Sequence, residues 1–266
     1  MDLYLDGKRA VVTGGSRGIG LACARQLARE GCAVALAGRD REALDSAALS
    51  VTAETGAKVI TVQVDTGSDA SVRAMIAAAA EGLGGIDILV NAAAKVAGQS
   101  APPKLAQITD ELFWDDVNVK VMGYLRCARE AAPVMAEGGW GRIINISGLA
   151  ARQTGSAIGS IRNVAVAALT KNLADELGPK GINVTVVHPG LTRTEKTGPL
   201  VAARAAAAGT SAEAIEAQMA GNVTIGRLVT AEEVADVVAF LASPRSVAVN
   251  GDAVACGGGI RGAIYY

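Results

Sequence analysis

The sequence predicts an α/β fold, a doubly wound parallel sheet with helices on both faces. Three observations carry that expectation. Short apolar or β-branched runs alternate with longer Ala-rich stretches along all 266 residues. Strand–helix–strand alternation implies right-handed crossovers and hence parallel neighbours. The short runs are almost continuously apolar, which is the pattern of strands covered on both sides. The chain is also 50% hydrophobic and 19% charged, enough to fill the core of one large domain spanning 1–266.

Strands are expected at 9–13, 33–37, 58–64, 86–90, 142–147, 182–187 and 252–256. Helical patterns fall near 18–30, 40–54, 69–82, 104–135, 158–178 and 231–242. No linker or internal repeat interrupts them. The segment 191–225 is irregular, with Gly198, Pro199, Gly209 and Gly221 breaking Ala-rich pieces. A long insertion before the last strand is expected to form a lid over a ligand site.

Composition narrows the function classes. Lys+Arg is 25 and Asp+Glu is 26, and no basic run marks a nucleic-acid or anionic-membrane surface, so neither partner is expected. One histidine and four scattered cysteines give no metal-ligand spacing and no disulfide framework, so no metal is expected. No apolar run reaches the ~20 residues that cross a bilayer. The first residues do not read as a secretion signal. A cytoplasmic location is the resulting expectation.

Thr13-Gly14-Gly15-Ser16-Arg17-Gly18-Ile19-Gly20 follows the first strand and opens the first helix. Glycines let a backbone approach a pyrophosphate, and the helix start offers unpaired N–H groups and a positive dipole end. Gly14, Ser16, Arg17, Gly18, Ile19 and Gly20 are therefore expected to cradle a dinucleotide. An acid at the end of the second strand would bind a ribose 2′-hydroxyl and repel a 2′-phosphate. Gly38 stands there, followed by Arg39. Arg17 and Arg39 could form a fork for phosphate, so NADP(H) is the expected cofactor.

These residues resemble the short-chain dehydrogenase/reductase family, and the resemblance covers nearly the whole chain. It includes Asp65-Thr66 after the third strand, Asn91-Ala92-Ala93-Ala94 after the fourth, and Gly141-Arg142-Ile143-Ile144-Asn145-Ile146-Ser147 at the fifth. It continues through His188-Pro189-Gly190, Gly226-Arg227 and Glu232-Glu233-Val234-Ala235. The resemblance implies a seven-stranded Rossmann sheet in the order 3-2-1-4-5-6-7 and a homotetramer or dimer. It also implies cofactor contacts from Asp65, Thr66, Asn91, Ala92, Ala93, Pro189, Gly190, Thr192 and Thr194. Asn118 takes the place of a helix asparagine that relays a proton through water.

The family's catalytic pair, Tyr-x-x-x-Lys on the helix after strand five, has no counterpart here. Counting back from Pro189-Gly190 puts Gly159 at the tyrosine position and Asn163 at the lysine position. The only tyrosines are Tyr4, Tyr124, Tyr265 and Tyr266, and no lysine lies between Lys120 and Lys171, so no shift of register restores the pair. The family serine position falls on Gly148, with Ser147 one residue before it. Ser147 and Asn163 are the catalytic candidates with Asn118, and Asn163 could also hydrogen-bond the cofactor ribose. His188, Ser160, Arg152, Arg162 and Lys95 are the remaining candidates to substitute, with packing, capping or a solvated surface as the plainer roles. Tyr124 is expected in the core, and the C-terminal Tyr265 and Tyr266 could serve only a neighbouring subunit.

Three functions stay open at this point. The first is an NADP(H)-dependent oxidoreductase with an atypical site, moving a hydride to or from a small carbonyl or imine substrate. The second is a catalytically weak NADP(H)-binding subunit that partners a catalytic relative. The third is a non-redox lyase or isomerase.

Overall fold

The computed structural model describes residues 1–94 and 102–261. Lys95, Tyr265 and Tyr266 therefore lie outside the described residues. In chain order the elements are β1 (Arg9–Thr13), α1 (Gly18–Arg29), β2 (Ala33–Gly38), α2 (Arg41–Thr55), β3 (Val59–Gln63), α3 (Asp69–Leu83) and β4 (Ile88–Asn91). Next come α4 (Asp110–Val117), a π-helical turn at Asn118–Met122, α5 (Gly123–Glu137), β5 (Gly141–Ile146), α6 (Ala157–Leu177) and β6 (Ile182–Pro189). The chain continues through β7 (Thr192–Arg193), α7 (Thr197–Ala208), α8 (Ala212–Ala220), β8 (Val229–Thr230), α9 (Ala231–Ala242) and β9 (Ala253–Cys256).

Seven strands form one parallel sheet in the order β3-β2-β1-β4-β5-β6-β9. This is the expected topology. The edge strand is ninth rather than seventh only because β7 and β8, two residues each, pair with one another outside the sheet. All of β5 and β6 is buried, as the continuous apolar runs anticipated.

Each face of the sheet has its own apolar layer. Leu27 of α1, Leu44 of α2 and Val234 and Val238 of α9 pack on one side. Met75 of α3, Cys127, Ala128 and Ala131 of α5 and Leu177 of α6 pack on the other. Alanines let these helices lie close to the strands, so few aromatic side chains are needed. Truncating a large member such as the fully buried Leu27 should cost about 2–5 kcal/mol.

Helix starts are set by short polar side chains. Asp40 accepts from the Ala43 N–H at 3.1 Å to open α2, and Ser156 accepts from Gly159 at 3.1 Å to open α6. Thr230 and Glu233 cap α9 reciprocally, with bonds of 3.2 and 2.9 Å.

The 104–135 stretch is not the single helix its periodicity suggests. A short 3₁₀ turn at Leu105–Gln107 precedes α4, and the π turn separates α4 from α5. A π turn pulls backbone carbonyls out of line with their usual donors. Here other groups take them. Arg126 donates to Asn118 O at 3.2 Å and to Thr66 O at 3.0 Å, and the Thr66 hydroxyl donates to Val119 O at 3.1 Å.

No described helix is long and apolar enough to cross a membrane.

Candidate active site

Strand order reverses between β1, which leads outward to β2, and β4, which leads to β5. In open α/β sheets the crevice for ligands opens at the carboxyl ends of the strands at that point. Thr13 closes the floor of this crevice. Its hydroxyl oxygen accepts from the N–H groups of Ala92 and Ala93 at 3.1 and 3.3 Å, tying the ends of β1 and β4 together.

The glycine loop lies directly against that junction. A Cβ on Gly14 would stand 2.9 Å from Ala92 O, and one on Gly20 would stand 2.2 Å from Gly14 O. No side chain fits either place, so backbone faces backbone across the crevice. Ser16, Arg17 and Gly18 border a cleft whose opposite wall is Arg193, Thr194 and Glu195. The Gly18 N–H, the first of α1, donates to the Glu195 carboxylate at 3.2 Å. The lid segment thus sets an anionic group at the helix start where a phosphate was expected. At the end of β2, a Cβ on Gly38 would meet only Leu44 at 3.6 Å, an ordinary contact. Packing therefore does not require glycine there, and Arg39 beside it is exposed.

The other residues expected to contact the cofactor lie at or just beyond the carboxyl ends of β3, β4 and β6. Asn91 is fully buried and turned into the sheet. Its amide nitrogen donates to Asn145 at 2.9 Å, Asn145 donates to Thr170 at 2.9 Å, and its own carbonyl oxygen has no partner among the described residues. Asp65 accepts from the Gly67 N–H at 2.9 Å and is exposed. Pro189 is buried at the end of β6, and the Gly190 N–H donates to Cys256 O at 3.3 Å. The Thr192 hydroxyl donates to Gly190 O at 3.0 Å, and the Thr194 N–H donates to Thr197 at 2.9 Å.

Ser147 and Asn163 do come together. The Ser147 hydroxyl lies 3.0 Å from Asn163 O and 3.2 Å from its Oδ1. Asn118 does not join them. Its Oδ1 accepts from Arg126 at 2.8 Å and its nitrogen donates to Gly67 O at 3.2 Å, so it anchors the π turn to the loop after β3.

The third member of the cluster is Lys120, which sequence reasoning missed. Its ammonium donates to Ser147 O at 3.0 Å and to Asn163 Oδ1 at 2.9 Å, and the residue is only 4% exposed. A buried cation is costly, so its pKa falls to about 7. Burial is the main cause; Arg162 repels the charge and Asp116 partly offsets both. A signal for Lys120 was present. Residues 120, 124, 127, 128 and 131 are all buried and share one helical stripe, with the lysine alone among apolar members.

Five other residues find plain places. Arg162 is not on a solvated face, because its guanidinium grips Asp116 at 2.5 and 2.7 Å beneath the surface. Tyr124 is in the core and donates to Ile146 O at 2.9 Å. Ser160 donates to Gln153 O at 2.8 Å. His188 is buried, its Nδ1 has no partner among the described residues, and burial, then Arg152 and Lys120, lower its pKa to about 4. It is a neutral imidazole near pH 7. Gly159 offers no side chain, and a Cβ there would meet only the capping Ser156, at 2.8 Å from Oγ.

A family model described as enoyl-(acyl carrier protein) reductase matches residues 14–261. The chain belongs to the short-chain dehydrogenase/reductase family. It is 34% identical to an uncharacterised oxidoreductase of Methylorubrum extorquens, over 97% of this chain and 99% of that one. It is 36% identical to the short-chain reductase NovJ of Streptomyces niveus, over 94% and 92% of the two chains. L-sorbose reductase from Gluconobacter frateurii, solved with NADPH and L-sorbose, superposes with a TM-score of 0.92 at 30% identity, covering 99% of this chain and 100% of that one. The chain is accordingly an oxidoreductase of the short-chain dehydrogenase/reductase type.

Proposed function

We propose that this short-chain dehydrogenase/reductase is an NADP(H)-dependent oxidoreductase that acts on a small carbonyl or imine without the family's tyrosine and lysine. The end of β2 carries the cofactor reading. Gly38 has room for an acid and bears none, and Arg39 beside it is exposed. The loop at Gly14 and Gly20 packs backbone on backbone, against Ala92 and against Gly14 itself, the tight strand-to-helix turn that suits a dinucleotide. A bound nicotinamide would supply or accept the hydride. Gly14, Ser16, Arg17, Gly18, Ile19 and Gly20 would hold the pyrophosphate, and Arg39 with Arg17 the 2′-phosphate.

The chain's own contribution to the proton chemistry is reduced. Gly159 has no hydroxyl to move a proton at the substrate oxygen. A positioned acid–base group is worth roughly 10²–10⁴ in rate. Ser147 can polarise a carbonyl, but among the described residues its hydroxyl is bonded to Asn163 O and Oδ1 rather than to an activating base. A substrate that arrives already protonated, such as an iminium, needs the absent tyrosine least. The segment 191–225, with α7 and α8, would close over the substrate as a lid.

The second reading, a weakly active NADP(H)-binding subunit, is favoured by one observation: the core tyrosine, Tyr124, is committed to Ile146 O. Calorimetric titration with NADPH and separately with NADH, followed by a carbonyl and imine screen, separates the two. Tight NADPH binding with turnover of an imine supports the oxidoreductase. Tight binding with no turnover of either class supports the subunit. No binding of either nucleotide overturns both.

A further inference from the structure

We infer that Lys120 and Asn163 form a transposed pair, in which the cation that family members carry on α6 is delivered instead from the π turn between α4 and α5, and fixes Asn163 as a hydrogen-bond donor toward the cofactor. The inference rests on the cofactor reading above.

The geometry has three parts. First, the resemblance calls for an asparagine on the helix before strand five and a lysine on the helix after it. The structure keeps Asn118 on the first, bonded to Gly67 and Arg126, and sets Lys120 beside it, with Nζ 2.9 Å from Oδ1 of Asn163 on the second. The cation thus reaches the site from the first helix while an amide stands at its place on the second.

Second, Lys120 settles which way the Asn163 amide points. Oδ1 is held by the Lys120 ammonium and lies 3.2 Å from the Ser147 hydroxyl. An amide whose oxygen is occupied presents its N–H₂ to the other side. For Asn163 that side is Gly148, whose missing Cβ leaves the amide nitrogen unobstructed (an added Cβ would stand 3.3 Å from it). Lys120 is therefore a positioning residue that acts through Asn163, and it adds a positive charge behind it.

Third, the surroundings make this charge adjustable. Asp116 of α4 and Arg162 of α6 face it as an ion pair, Tyr124 of α5 is neutral, and His188 of β6 is neutral above about pH 4. Lys120 is thus the one of these groups that changes charge near neutrality, at about 7. The neutral amine still has two N–H groups for its two acceptors, so deprotonation removes the charge and spares the hydrogen bonds.

The test compares NADPH dissociation constants by calorimetry from pH 6 to 8.5 in wild type, Lys120→Met, Lys120→Gln, Asn163→Lys and the exchange variant Lys120→Asn with Asn163→Lys. The 2′-phosphate titrates identically in every arm, so differences between variants carry the answer. Wild type should lose affinity through pH 7 by on the order of tenfold. Lys120→Met should bind with the weakened affinity at all pH values, and Lys120→Gln serves if the methionine variant does not fold. Asn163→Lys sets two ammonium groups together and should be the weakest. The exchange variant should regain tight binding with little pH dependence below 8.5. In the cofactor-free protein, the Lys120 Cε resonance should titrate near 7. Parallel pH curves in wild type and Lys120→Met, an exchange variant no better than Asn163→Lys, or a Lys120 resonance titrating near 10 would each overturn the inference. If wild type binds no NADPH at any pH, the cofactor reading falls and takes this inference with it.

Discussion

The two ends of the crevice are built from different materials. At the β1 loop the walls are backbone: Gly14 and Gly20 leave no room for a side chain, and the polar groups are N–H donors and exposed arginines. At the junction of α4, α5 and α6 the walls are side chains, and Lys120, Ser147 and Asn163 are buried and bonded to one another. A backbone site depends on a run of consecutive residues. A side-chain site depends on elements far apart in the chain, and a change at one position can be answered at another.

The largest effect should come from rebuilding the second end. Gly159→Tyr with Asn163→Lys alone should gain little activity on simple ketones, because the new lysine meets the Lys120 ammonium. Adding Lys120→Asn removes that conflict, and ketone reduction should then rise by roughly 10²–10⁴. The readout is kcat/KM with NADPH. A double variant as active as the triple would show that the two ends are independent after all.

Arg39→Ala sharpens the contrast from the other end. It should weaken NADPH binding by about 10–100-fold, the worth of a charge-assisted hydrogen bond, and leave NADH binding unchanged. Equal losses for both nucleotides would remove Arg39 from the 2′-phosphate.

The buried end should also show in acid stability. His188 stays neutral in the fold down to about pH 4, whereas in the unfolded chain it takes up a proton near 6.5. Between those values the unfolded state holds more protons, so stability falls as the pH drops through that window, by about 3 kcal/mol when complete. Denaturant unfolding of His188→Gln should show a shallower acid limb. An unchanged limb would assign the loss to carboxylates elsewhere.

The smallest effect is expected at Glu195. Its carboxylate accepts from the first N–H of α1, where the proposed cofactor phosphate would sit. Glu195→Gln should tighten NADPH binding a few-fold at low salt and less at high salt, since the contact is exposed. No change at low salt would mean that Glu195 leaves the cleft without cost when the cofactor enters.

The same contrast explains what was legible in the sequence. The seven strands were readable because doubly buried strands leave continuous apolar runs, their order came only through the family resemblance, and the glycine loop was readable because its residues are contiguous. The two-residue strands β7 and β8 are too short to carry a period. The break in 104–135 was hidden because no glycine or proline marks the π turn at Asn118–Met122. Asn118 drew attention as an asparagine on the expected helix, yet the residue facing α6 from that helix is Lys120. Its lone charge on a buried stripe was the available sign, but its partner 43 positions away appears only once the helices are packed.

The wide turn at Asn118–Met122 sets a constraint on length as well as on identity. Each residue of a helix advances about 100° around its axis, so deleting one here would rotate the whole of α5 relative to α4. Tyr124 and Cys127 would leave the core together with the lysine. Related chains should therefore keep the number of residues in this turn fixed, and a one-residue gap here should be rarer than a substitution.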